Sequence, residues 1–477
     1  MKTDRSGRRS ASLSFLTAAR KLTALIAAGA LLLAGLPARA QENPGAGTGL
    51  PVIRDAEIEQ LLRDYTAPIL KVAGLSQQNI RVVIINDRQF NAFVMDGRHI
   101  FVNAGALIDS QTPNQLIGVF AHETGHIAGG HLMKMREELA HVQNAMIVGM
   151  LLGIGAALAG GGGRNSSNAA MAAMMAPQQM AMRSILSYAR AQEEQADKAG
   201  VKFLTLTGQS PKGMYDTFKR FADQELYSAQ YTDPYVQTHP MSQDRVKVLE
   251  GLARSSPYWD KKDPPELQAR HDLMRAKLHG FLDRPDTLLR AYPMTDTSLP
   301  ARYARAISAY RHGSNLASAL FQIDGLIQAQ PNNPYFYELK GQALLEAGRP
   351  AEAIAPLRTA IARAPNPALI QVLLAQALIA TNNPRLADEA VSNLQTAILR
   401  DPDIPDAYTN LAMAYGRKGN LAEADLASAQ AAFARADYPT ARQLAARAKG
   451  RFPIGSPGWV KADDIASYKA PAGIARR

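Results

Sequence analysis

No cysteine occurs among the 477 residues. That absence excludes a disulfide framework, a Cys-ligated zinc or iron–sulfur site, a thiol nucleophile and a lipid on an N-terminal cysteine. Any metal must sit on His, Asp or Glu. The chain also lacks an apolar run of the ~20 residues that span a bilayer; residues 22–36 and 145–159 come nearest, and each is fifteen long and interrupted by glycine. A strong positive excess is missing as well. The formal net charge is +11, but residues 1–40 hold seven Lys/Arg against Asp4, which leaves +5 for the rest. Charge therefore gives no case for a nucleic-acid partner. What is present, 47% hydrophobic and 20% charged residues, is an ordinary globular composition at a length suited to two or three domains.

Arg20-Lys21, the apolar residues 22–36 and Ala38-Arg39-Ala40 before Gln41 form the three-part layout of a secretory signal peptide. The expectation is export to a bacterial periplasm with cleavage after Ala40; the rival is an uncleaved membrane anchor. Residues 41–50 read as a linker rich in Gly, Pro and polar residues. Apolar residues at Ile58, Leu61, Leu62, Tyr65, Ile69 and Leu70 predict a helix over 55–72. Residues 81–86 read as a buried strand, and Asp96-Gly97 as a hairpin turn. A helix is expected over 114–133. The apolar segment 145–159, which could touch a membrane peripherally, and the Met-rich stretch through Met182 leave two readings open: a flap over an active site, since Met adapts to varied apolar partners, or a helical hairpin in the core. Helices over 185–207, 211–227 and 243–252 follow, with a loop at 232–240.

Residues 51–256 make up the first domain, 257–299 a helical connector. Beyond it an internal period emerges, marked by Pro331, Pro365 and Pro402, 34 and 37 residues apart. Tyr337, Gly341, Leu344, Ala353, Leu357 and Ala360 fill positions 4, 8, 11, 20, 24 and 27 of a tetratricopeptide frame, and Tyr303, Ile307, Tyr310, Ala319, Ile323 and Leu326 fill them one unit earlier. Four helical pairs over 300–453 predict an all-α solenoid whose groove docks peptides or proteins, followed by a tail at 454–477.

The chemistry sits in His122-Glu123-Thr124-Gly125-His126. On a helix, i and i+4 share one face, so both imidazoles reach one zinc ion and Glu123 stands beside it as general base. His131 falls one residue short of the metzincin offset and points ~140° away on a continuous helix, so it reads as a satisfied supporting or surface histidine. A better third ligand is Glu193, with Asp197 at i+4 placed to hold a ligand imidazole by its free N–H.

HExxH followed by Arg190-Ala-Gln-Glu193-Glu-Gln-Ala196-Asp197 resembles the gluzincin family that includes the HtpX heat-shock protease and the CAAX prenyl proteases. Asn91-Ala92-Phe93, Gly97 through Asn103, and Thr238-His239-Pro240 with Arg245 resemble further elements of it; Ala189 stands where the family usually has Ser. The repeats point to its exported members that act on outer-membrane β-barrel proteins. The resemblance implies a mainly α chain: an α+β zinc-metalloprotease domain, then the repeat solenoid. It implies zinc on His122, His126 and Glu193, Glu123 as catalytic base, and support from Asp197 and Arg190. His239 is expected either to donate to the oxyanion or to take the fourth position on zinc at rest, and Arg245 to position the His239 loop. Implied partners are unfolded or misassembled β-barrels and, through the repeats, the outer-membrane assembly machinery. The edge strand at Phe93 is a place for an extended substrate to pair. The rival is a periplasmic chaperone or assembly adaptor with latched or secondary proteolysis.

Overall fold

A computed structural model describes residues 50–141, 164–227 and 234–469. The leader, most of the linker and the 145–159 segment lie outside the described residues.

A four-stranded sheet opens the fold, built from β1 (Val52–Ile53), β2 (Arg81–Ile85), β3 (Ala92–Val94) and β4 (His99–Asn103) in the order β1-β2-β4-β3. β2 and β4 are parallel, with Val83 opposite Phe101, and β3 returns antiparallel as the edge, with Phe93 opposite Phe101. Asp96 shapes the hairpin turn by accepting from the backbone N–H groups of Arg98 and His99. Helix α1 (Ala56–Val72) starts at Asp55, whose carboxylate caps the N–H of Ile58. Its buried face, Ile58, Leu61, Leu62, Tyr65 and Ile69, is the one the apolar period marks.

After α2 (Ala104–Asp109) comes α3 (Pro113–Ala128), opened by a capping box between Thr112 and Gln115. The expected helix over 114–133 is not continuous. It ends at Ala128, Gly130 takes a left-handed φ of 62°, and a new helix, α4, covers 131–141. Glycine, lacking a Cβ, adopts that conformation at no steric cost. Helix α5 runs from Arg164 to Leu206, so the Met-rich stretch forms its first half. Then come α6 (Lys212–Tyr227), a short α7 (Pro234–Thr238) inside the stretch expected to be loop, and α8 (Gln243–Arg254).

α3 and α5 touch backbone to backbone. A Cβ on Gly125 would lie 2.9 Å from the Ala196 carbonyl, and one on Gly118 2.6 Å from Met214 of α6. Gly125 sets how near the two site-bearing helices come, and Gly118 how near α6 comes to α3.

Helix α9 (Pro265–Leu282) belongs to two cores. Met274 and Leu278 pack with the sheet and α3, whereas Leu273 packs with Tyr303 and Phe336 of the repeats. The repeat helices pair as Leu299–His312 with Leu316–Ala329, Pro334–Glu346 with Pro350–Arg363, Ala368–Ala380 with Ala387–Arg400, and Pro405–Arg417 with Leu421–Ala434. In the third pair, the 37-residue unit between Pro365 and Pro402, the turn between helices is left-handed at Asn382 and continues as a 3-10 turn at Pro384–Leu386. Tyr438–Lys449 follows. The stretch read as a tail holds one more helix, Pro457–Ser467, capped by Ser456, with Ala462 packed on Leu426 and Ala448.

Repeats and sheet domain meet through charge. Arg54 and Arg81 both bind Asp401, at 2.6 Å each, and Arg81 also binds Asp403 at 2.9 Å. Deeper in the seam, Lys277 lies 2.8 Å from Asp55, 3.2 Å from Glu57 and 3.8 Å from Glu338, and the Tyr303 hydroxyl donates to Glu57.

Candidate metal centre

α3 brings His122 and His126 to one face, and α5 crosses it at Gly125 to bring Glu193 and Asp197. The Nε2 atoms of the two histidines lie 3.1 Å apart. Glu193 Oε2 is 3.4 Å from His122 Nε2, and Oε1 is 3.3 Å from His126 Nε2. Ligand atoms around a tetrahedral ion with bonds of about 2.0–2.1 Å stand about 3.4 Å apart, so this spacing fits one metal held by two nitrogens and a carboxylate oxygen. His239, directly after α7, turns Nδ1 into the same point, 3.1 Å from Glu193 Oε2 and 3.4 Å from His122 Nε2. Ligand atoms of all four residues lie within 4.8 Å of one another, and all four are buried.

The remaining nitrogens are tied back to the protein. His122 Nδ1 stands 2.9 Å from Asp197 Oδ1. His239 Nε2 lies 3.3 Å from the Ala92 carbonyl on edge strand β3 and 3.4 Å from Glu123. Arg245, in the first turn of α8, grips Asp197 with Nε and Nη2 at 2.7 and 2.8 Å, reaches Glu193 Oε2 at 2.8 Å with Nη1, and donates to the Pro240 carbonyl. It thereby ties both carboxylates to the loop that carries His239.

Glu123, Glu193 and Asp197 are buried with one guanidinium, Arg245. With the imidazoles neutral and the three carboxylates ionised, as metal ligation requires, one guanidinium leaves a buried negative excess that a divalent cation would balance. The protonation tendencies follow. Burial pushes His126 down to about 3, so its imidazole is neutral and carries a lone pair at neutral pH. Burial opposes the charge on His122 too, but hydrogen bonds to Asp197 and Glu193 prevail and raise it to about 9. Glu193 is held well below the carboxylate range despite burial by His239, His122 and His126. Glu123 is pushed up by burial, and neither of its oxygens has a hydrogen-bond partner. A buried carboxylate left without donors beside the ligand point is suited to take a proton from a water there.

Among the expected site residues, Arg190 is exposed on α5 and is not brought to the cluster. His131 is buried with its ring 3.1 Å from His126; the helix break, rather than a continuous helical wheel, puts it there. Three contributors were not read from sequence: Phe218, edge-on to His122 at 5.1 Å, Tyr235, whose ring lies 4.8 Å from His239, and the Ala92 carbonyl. Tyr235 had one signal, its place four residues before His239.

Residues 53–253 match the profile of peptidase family M48, and residues 344–387 and 393–425 match tetratricopeptide-repeat profiles. The chain is 24% identical over 387 residues to the beta-barrel assembly-enhancing protease of Yersinia pestis, covering 79% of this chain and 76% of that one. It is 24% identical over 379 residues to the Escherichia coli K12 protein of the same name, covering 78% and 74%. The mitochondrial metalloendopeptidase OMA1 of Schizosaccharomyces pombe is 24% identical over 182 residues, 38% of this chain and 49% of that one. No helix among the described residues is long and apolar enough to cross a membrane. The chain is thus a metalloprotease whose residues 53–253 match peptidase family M48, with tetratricopeptide repeats behind them.

Proposed function

We propose a zinc-dependent endopeptidase of the periplasm that hydrolyses misfolded or misassembled envelope proteins, outer-membrane β-barrels first among them, with the repeats docking substrate or assembly machinery. The observation that carries the reading is the convergence of His122 Nε2, His126 Nε2 and a Glu193 oxygen within 3.1 to 3.4 Å, beside a Glu123 without hydrogen-bond partners. Nitrogen and oxygen ligands without sulfur, in this number and spacing, suit zinc. When bound, zinc supplies the Lewis acidity for attack on the scissile carbonyl. Glu123 takes a proton from the attacking water and passes it to the leaving amine. Asp197 and Arg245 keep His122 and Glu193 in place. The edge of β3 offers backbone groups to an extended substrate, which suits unfolded chains of varied sequence. The names of the two assembly-enhancing relatives and the signal-peptide layout support the envelope substrate and compartment.

The test is digestion of an unfolded outer-membrane β-barrel by the zinc-loaded chain against a Glu123→Gln control. Cleavage lost in the variant supports the reading; cleavage retained by it places the activity elsewhere. A second reading, an assembly chaperone whose protease is latched, has its own support: His239 Nδ1 sits where a fourth ligand would. Zinc binding without cleavage by wild type would favour it.

A further inference from the structure

His131 has no part in the chemistry above, yet it is buried and its Nδ1 lies 3.1 Å from His126 Nδ1, the two rings edge to face at 86°. Two neutral imidazole nitrogens at that distance share one proton, one donating and the other accepting. His126 turns its Nε2 toward His122 and Glu193. A ligand needs its lone pair there, so its proton belongs on Nδ1, and the lone pair opposite it is that of His131. Gln192 Nε2 donates to the His131 carbonyl at 3.1 Å. The helix that supplies Glu193 therefore fixes His131 as well.

We propose that His131 is a positioning residue for His126: it holds the imidazole through Nδ1 in the tautomer that leaves Nε2 to the metal. This rests on reading His122, His126 and Glu193 as the ligands. The sequence builds the arrangement with two glycines. Gly130, at φ 62°, breaks the helix so that residue 131 comes back toward the site. Gly129 leaves room for the ring, since a Cβ there would collide with His131 Nε2. Gly129 itself has φ −74° and ψ −12°, ordinary for any residue, so alanine would cost it no backbone strain. The three nearest atoms that such a Cβ would meet all belong to the His131 ring.

The full chain, stripped of metal, is titrated with zinc against a chromogenic chelator, and the melting of each metal-free protein is followed by circular dichroism. Loss of a hydrogen bond to the second nitrogen of a ligand histidine weakens metal binding roughly 10- to 100-fold. That loss is expected in His131→Leu and, with the histidine still present, in Gly129→Ala. His131→Gln, whose side-chain oxygen can accept from His126, should recover part of it. Wild-type affinity in folded Gly129→Ala or His131→Leu overturns the proposal, as does a His131→Gln variant no tighter than His131→Leu. If wild type binds no zinc, or binds it equally after His122→Ala, the ligand assignment itself fails and takes this inference with it.

Discussion

Arg245 holds Asp197 by a two-pronged pair at 2.7 and 2.8 Å, and the same carboxylate faces His122 Nδ1 at 2.9 Å. The guanidinium thus fixes Asp197, and Asp197 fixes the His122 ring, which in the proposed site would hold the metal. Lysine keeps the charge and loses the fork. Arg245→Lys should lower kcat/KM by roughly 10- to 100-fold, with zinc affinity falling alongside. Arg245→Ala, which strips the cation from two buried carboxylates, should also destabilise the domain by about 3–5 kcal/mol, read from denaturant unfolding. Wild-type kinetics in Arg245→Lys would remove the positioning role.

Gly125 lies inside the HExxH motif but acts through packing. With a Cβ 2.9 Å from the Ala196 carbonyl, Gly125→Ala must push α3 from α5 and so part His126 from Glu193. Overpacking of this kind costs about 1–3 kcal/mol, whereas a shift near 1 Å at a reacting centre costs about 100-fold in rate. Activity should therefore fall further than stability does. Equal activity at a lowered melting temperature would count against the crossing as the determinant of ligand spacing.

His239 turns Nδ1 toward Glu193 and His122, which favours the latch over the oxyanion donor. His239→Ala should cleave an unfolded substrate faster than wild type. A loss of roughly 100-fold would instead mark a transition-state donor, and unchanged cleavage would leave it neither role.

The seam between repeats and peptidase should respond to alkali. Glu338 is half-buried beside Lys277, Asp55 and Glu57; desolvation pushes its carboxyl up from 4.5 to about 8. Between those values the folded chain holds a proton that the unfolded chain has lost, so stability falls as pH rises through that window. Melting temperature measured from pH 5 to pH 9 should decline in wild type and flatten in Glu338→Gln. An equal slope in both would exclude Glu338 as the source.

His271 acts with the opposite sign. Its Nε2–H donates to the Ser110 carbonyl at 2.8 Å and its Nδ1 meets the Tyr65 hydroxyl at 3.0 Å. Burial holds the ring down to about 4 against 6.5. The unfolded chain gains a proton first, so this contribution is intact above pH 6.5 and is lost as pH falls through 4. At full extent it amounts to about 3 kcal/mol, and acid titration of His271→Gln should lack that component.

The site was legible where its spacing is local. His122 with His126 and Glu193 with Asp197 are i, i+4 pairs, and a helical period suffices to put each pair on one face. His239 and Arg245 came only through family resemblance, because no local rule brings a loop residue back to a helix 117 positions earlier. The helix break was readable in Gly129-Gly130 but was overrun by the apolar period on either side. Likewise Ser456-Pro457 is an ordinary helix start hidden in what composition suggested was a tail. The pairing of Arg54 with Asp401, 347 residues apart, leaves no trace in either neighbourhood, since a charged residue near a turn looks the same whether or not a partner waits for it.

Helix α9 contributes to the peptidase core with one face and to the repeat core with another, and five acidic residues of the seam, Asp55, Glu57, Glu338, Asp401 and Asp403, lie on both sides of the boundary. The repeat array is therefore no interchangeable cassette. Grafting a foreign array after residue 282 would strand Lys277, Arg54 and Arg81 against whatever replaced Glu338, Asp401 and Asp403. A functional chimera must transplant those acids, and Tyr303 with them, along with the groove it seeks to exchange.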